Sequence, residues 1–132
     1  MGKNPVRHWE IMGADGGALS KFYGKVFDWA PQAWPGVEEY FGVDTDHSGL
    51  GGAVGKGSKE MPNYVMIYIG VDNVDDHLKK IEAAGGKTVL GRTVIPGVVA
   101  FGQFRDPARN VIGLSELVTP PDTKDRDPIG IG

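Results

Sequence analysis

The chain repeats itself once, and this limits its fold more than any other feature. "VRHWEIM" alternates apolar and polar positions as a strand does. It is followed by Asp15, a good N-cap, and by Leu19, Phe22, Tyr23, Val26 and Phe27 at helical spacing. Further on, "YVMIYIGV" is again strand-like and precedes "DNVDDHLKKIEAAGG". That helix has a cap at Asn73 or Asp72, acidic residues Asp75 and Asp76 in its first turn, and Gly85 as its stop. One constant offset lays Leu19, Tyr23 and Val26 on Val74, Leu78 and Ile81, and a slightly longer one lays Gly52 on Gly113. Strand candidates follow each helix: "VEEYFGVDT" and "SGLGGAVG" in the first half, then "KTVLGRTVI", "GVVAFGQF" and "NVIGLSE" in the second.

The expected fold is therefore α+β: two tandem βαβββ modules forming a cupped, half-barrel mixed sheet around a central cavity, with a helix covering the outside of each sheet. The expected boundaries are about 5–55 for the first module, 56–62 for a linker and 63–118 for the second. A Pro-rich, charged tail at 119–132 has too little apolar content to pack alone.

Length and composition narrow the function. A chain of 132 residues is one domain by size, 1–132. It has no cysteine, which removes disulfides, thiolate metal sites and a cysteine nucleophile. Lys and Arg number 14 against 17 Asp and Glu, and the basic residues are scattered, so no nucleic-acid footprint is present. No apolar run approaches the roughly 18 residues of a membrane span and no leader pattern is seen, so no membrane association and a cytoplasmic location are expected. The 21 glycines are more than twice the usual share of about 7% and are spread along the chain, as in a fold with many turns and close backbone approaches. No G-x-S-x-G elbow and no phosphate-binding loop is present.

The stretch "FRDPARNVIGLSE" reads as strand, type I turn and strand, with Asp106 accepting local backbone N–H groups and Pro107 fixing φ. Gly113, inside the second strand, implies that something else approaches closely there.

Together, "HWEIMGADGGALSKFYGKVFDW", "GVDNVDDHLKKIEAAGGKTV" and "FGQFRDPARNVIGL" resemble the vicinal-oxygen-chelate superfamily, which includes glyoxalase I, extradiol dioxygenases and the bleomycin- and fosfomycin-resistance proteins. The resemblance runs from about Val6 to Leu117 and implies the glyoxalase-like fold. It also implies four metal-ligand positions, in the first and last strands of each module. His8 matches the first of these, while Gly52, Met66 and Gly113 occupy the other three. One ligand of four does not hold an ion well, so no metal or other cofactor is expected. The alternative is Ni, Zn, Fe or Mn at a displaced site of His8, Glu10 and Glu116, serving a lyase, isomerase or dioxygenase-type reaction. In the turn, Arg109 stands where members of the family usually carry glycine, so local strain is expected.

His8 and Glu10 share one strand face and are the candidate catalytic pair. Met12, Gly52, Met66, Tyr68, Gln103, Gly113 and Ser115 are the candidate lining of a ligand cavity, with the glycines leaving volume where ligands would otherwise stand. Alternation puts Glu116 on the face opposite Ser115. Trp34 and Phe41 read as aromatic lids or core, His77 as structural and His47 as an exposed turn residue. The expected role is small-molecule binding by a homodimer, with any chemistry resting on His8 and Glu10.

Overall fold

The computed structural model describes residues 4–117; the tail expected at 119–132 lies outside the described residues. The elements run β1 (Val6–Gly13), α1 (Gly16–Phe27), β2 (Gln32–Ala33), β3 (Tyr40–Val43), α2 (Thr45–Ser48), β4 (Gly52–Lys56), β5 (Tyr64–Val71), α3 (Val74–Ala83), β6 (Lys87–Ile95), β7 (Val99–Arg105) and β8 (Val111–Glu116). Two compact units result, one formed by His8–Met66 and the other by the described residues up to Arg7 and from Ile67 onward.

The repeat is realised in the strand pairing. In the first unit β1 pairs with β4 in parallel, β4 with β3 and β3 with β2 antiparallel. In the second, β5 pairs with β8 in parallel, β8 with β7 and β7 with β6 antiparallel. Each is a βαβββ module with a mixed sheet, and the chain is α+β. The second strand of the first module is β2, a two-residue strand within "PQAWPG", a stretch whose two prolines and glycine are turn formers. Two residues carry no periodicity, and only the ladder to Phe41 and Gly42 makes them a strand. The turn expected at Asp46 and His47 is a short helix, α2, capped by Asp44, whose carboxylate accepts from the His47 N–H at 3.0 Å.

Both long helices start as their sequences direct. Asp15 Oδ1 accepts from the Ala18 N–H at 2.9 Å, and Asn73 Oδ1 from the Asp76 N–H at 2.9 Å. Such caps contribute about 1 kcal/mol each. In the second unit the stripe of α3 packs as its spacing predicts: Val74 and Leu78 are buried with Val71 and Leu114, and Ile69, Ile81 and Phe104 close around them. Each fully buried Val or Leu contributes about 1.5–3 kcal/mol.

The stripe of α1 behaves differently. Phe22, Val26 and Phe27 are each more than half exposed, while Gly16 and Ser20 are the buried residues of the helix. The reason is steric. A Cβ on Gly16 would lie 2.5 Å from the Lys56 nitrogen and 2.7 Å from the Gly55 carbonyl carbon, so the start of α1 rests directly on the backbone of β4. Small residues face the sheet, and the aromatic end of the helix stacks sideways. Tyr23 and Phe27 are 6.1 Å apart, and Trp29 bridges from Tyr23 (5.9 Å) to Trp9 (5.2 Å). Among the described residues no helix is long and apolar enough to cross a membrane.

Candidate functional site

Strand alternation places His8, Glu10 and Met12 on one face of β1, and all three are buried. A buried imidazole and a buried carboxylate require partners. Residues far away in sequence supply them. The His8 Nε2 lies 2.9 Å from the Tyr40 hydroxyl of β3, and that hydroxyl donates to Glu10 Oε2. From the start of β5, Tyr64 donates to the other carboxylate oxygen, Glu10 Oε1, at 3.2 Å. Trp34, just past β2, covers the group: its ring stacks on Tyr40 at 4.8 Å and lies 6.3 Å from His8. The Trp34 N–H donates to the Tyr40 carbonyl at 2.8 Å and fixes this stack. The Trp34 indole Nε1 is buried and has no hydrogen-bond partner among the described residues.

The direction of the bonds fixes the protonation pattern. Tyr40 gives its proton to Glu10, so its oxygen accepts from His8 Nε2–H, which leaves the ring lone pair on Nδ1. Burial pushes the His8 pKa down to about 3, so the imidazole is neutral at pH 7. Tyr64 is pushed up, first by burial and then by the charge of Glu10 and the hydrogen bond to it. A chain of donors therefore converges on one acceptor, Glu10. This is a polar anchor with an aromatic wall.

The second unit carries its own set. Tyr68, Gly113, Gln103, Ser115 and Phe101 share one face, because Tyr68 pairs with Gly113, Gln103 with Gly113 and Phe101 with Ser115. Gln103 donates to the Tyr68 hydroxyl at 3.1 Å, and Phe101 meets the Tyr68 ring edge-on at 6.3 Å. Ser115 is fully buried, and its hydroxyl has no partner among the described residues. Met66, on β5 at the end of the unit that contains His8, is also buried.

Two expectations need correction. The glycines do not leave volume, because aromatic rings fill it. A Cβ on Gly113 would stand 2.3 Å from Tyr68 Cδ2 and Cε2, and one on Gly52 would stand 2.1 Å from Trp9 Cδ2 and Cε2. Gly52, moreover, is on the wrong face for the cavity lining. It pairs with Trp9, and Ala53 pairs with Glu10, so Gly52 lies opposite to His8. A register difference of one residue moves a side chain through the sheet.

Glu116, considered for a displaced metal site, is committed elsewhere. Its carboxylate takes Arg92 Nε at 2.7 Å and Nη2 at 3.0 Å, and accepts the Val74 N–H at 3.1 Å, at the start of α3. Burial pushes its pKa up, but the Arg92 hydrogen bond, the Val74 N–H and the Arg92 charge together hold it below the usual range. Of the other histidines, His47 is exposed and 2.7 Å from Asp44, and His77 is half-buried on α3.

The donor set does not fit a four-ligand metal centre. Among the described residues no three His, Asp or Glu side chains come together. The two that share a face, His8 and Glu10, are joined through the Tyr40 hydroxyl, and Glu10 already serves two phenols. Ala53, beside Glu10, offers no donor.

The family model described as Glyoxalase/Bleomycin resistance protein/Dioxygenase superfamily matches residues 6–114. The chain belongs to that superfamily. No curated protein sequence matches this superfamily member significantly. Among solved structures it is similar to a glyoxalase/bleomycin resistance protein/dioxygenase superfamily member from Vibrio splendidus 12B01, at 14% identity and a TM-score of 0.58 over 85% of this chain and 98% of that one. It is also similar to a methylmalonyl-CoA epimerase (S115T) from Streptomyces coelicolor in complex with 2-nitronate-propionyl-CoA, at 16% identity and a TM-score of 0.56 over 89% and 98%. A Mn(II)-bound glyoxalase from Novosphingobium aromaticivorans gives 18% identity and a TM-score of 0.55, covering 96% of this chain and 42% of that one. At these identities the likeness is one of fold.

The residues that complete the His8 site, Tyr40 and Tyr64, do not stand out in the sequence. Tyr40 is 32 positions from His8 and Tyr64 is 54 from Glu10. Only strand pairing brings them together.

Proposed function

We propose that this superfamily member binds a small aromatic or cationic molecule at the His8–Tyr40–Glu10–Tyr64 group, without a metal ion and as a homodimer in the cytoplasm. The observation that carries the reading is the hydrogen-bonded chain running from His8 through Tyr40 to Glu10, walled by Trp34. The Glu10 carboxylate is a hydrogen-bond acceptor, which suits a neutral or positively charged donor. The Trp34 and Tyr40 rings supply apolar stacking surface and cation–π attraction. Binding suits this geometry better than proton transfer, because a histidine held at about pKa 3 is a weak base and a poor acid at pH 7. The manganese and the acyl-CoA analogue of the two structural neighbours belong to those proteins, and no step here depends on either.

The test combines metal analysis with ligand titration. Protein purified without chelator is assayed for Ni, Zn, Fe and Mn, then titrated with a panel of aromatic and cationic compounds while tryptophan emission is followed. Substoichiometric metal together with a saturable response that Tyr40→Phe and Glu10→Gln weaken supports the reading. No saturable response from any compound, or one that appears only after loading with Mn2+, overturns it.

A further inference from the structure

A second polar feature lies in the unit that contains β6, β7 and β8. Gly85, Lys87, Arg105, Asp106, Pro107 and Arg109 line a cleft of about 420 Å3. Three of the six are cations. Among the described residues none of the three is in a salt bridge, although Lys87 lies near enough to Glu82 for its charge to help lower the Glu82 pKa, and the one side-chain hydrogen bond they make is from Arg105 Nη1 to the Arg109 carbonyl at 3.2 Å. The single acid, Asp106, is occupied by its turn. Oδ1 accepts from the Ala108 and Asn110 N–H groups, each at 2.9 Å, and Oδ2 from the Asn110 side chain at 3.0 Å. These bonds, led by that of the Asn110 side chain, hold its pKa below the usual carboxylate range.

Arg109 itself is in the left-handed region, at φ 75°. The turn Asp106–Arg109, closed by the Arg109 N–H on the Asp106 carbonyl at 2.8 Å, requires that conformation, and glycine would adopt it without strain. The strain at Arg109 brings a guanidinium to the rim of a cleft that already holds Lys87 and Arg105.

We propose that this cleft binds the phosphate or pyrophosphate group of a small molecule. Two guanidinium forks and an ammonium match the oxygens and the charge of such a group. The cleft is large enough for more than the phosphate alone, since small-molecule sites span roughly 300–1,000 Å3. The inference is independent of the function proposed for the His8 group.

The experiment uses the whole chain and pyrophosphate as the probe, followed by isothermal titration calorimetry at low ionic strength. Wild type binds saturably, and added salt weakens binding because the cleft is open to solvent. Arg109→Gly and Lys87→Gln each weaken binding by about tenfold, the scale of one charge-assisted contact. Arg109→Gly keeps or raises the melting temperature, which separates lost binding from lost folding. Tyr40→Phe, in the other unit, binds pyrophosphate as wild type does. No saturable binding to the wild type, or equal binding by wild type, Arg109→Gly and Lys87→Gln, overturns the proposal.

Discussion

The Tyr68 ring lies over Gly113 in the position a β-carbon would take, 2.3 Å from where that carbon would stand. The two residues are direct partners in the parallel β5–β8 ladder. Trp9 does the same over Gly52 in the β1–β4 ladder. In both modules an aromatic residue on the first strand covers a glycine on the last, although the two rings differ. One phenol points to Gln103, whereas the Trp9 indole N–H goes to the Leu50 carbonyl.

This pairing predicts the cost of a single methyl group. Gly113→Ala forces the Tyr68 ring from its rotamer and lowers stability by about 1–3 kcal/mol, as overpacking does. Gly113→Ala combined with Tyr68→Ala costs less than the sum of the two single changes, because the clash is gone. Urea unfolding of the four proteins in the cycle measures this; strict additivity would show that ring and glycine do not interact.

The buried His8 gives stability a definite pH dependence. Its pKa falls from an ordinary 6.5 to about 3 on folding, so between these values the unfolded chain binds a proton that the folded chain does not. The contribution of His8 is therefore fully present above pH 6.5 and is lost as pH falls, at up to about 1.4 kcal/mol per unit. His8→Gln keeps a donor for Tyr40 and removes the titration. Wild type loses stability more steeply than His8→Gln from pH 6.5 to 5, as read by denaturant midpoints.

Removing the bridge in the His8 group costs more than removing its outer member. Tyr40→Phe deprives the His8 Nε2–H of its acceptor and Glu10 of a donor inside the protein, at about 2–3 kcal/mol. Tyr64→Phe takes one donor from Glu10 at a part-buried position, at about 1 kcal/mol. Thermal unfolding of the two variants orders them.

Glu116 is predicted to hold the start of α3. Glu116→Ala leaves the Val74 N–H without its acceptor and frees Arg92 from a two-pronged pair, at about 2–3 kcal/mol. Its carboxyl is held below the ordinary value, so this stability is present above the unfolded pKa and is lost as pH falls through the folded one. Hydrogen exchange in the first turn of α3 should speed up in Glu116→Ala before that of the β7–β8 pair; uniform acceleration would mean that the residue supports the whole unit instead.

Much of the fold was legible because it rests on local rules applied twice. Asp15 and Asn73 cap their helices, Gly85 ends α3 with φ 104°, Asp106 closes its turn, and period-two patterning puts His8 and Glu10 on one face. β2 is not legible because two residues have no period, and the apolar stripe of α1 does not predict its buried face because backbone contact at Gly16 outranks it. Of the site, the residues of β1 were legible and their partners were not.

By itself, the sequence determined the two βαβββ modules, the helix boundaries and the polar face of β1, since each depends on neighbours a few positions away. The tertiary structure decided the rest: the register that sets Gly52 opposite to His8, the rings over both glycines, the commitment of Glu116 to Arg92, and the joining of Tyr40 and Tyr64 to Glu10. Each of these turns on which residue of one strand faces which residue of another. A shift of a single residue reverses that relationship while leaving the local pattern of the sequence unchanged.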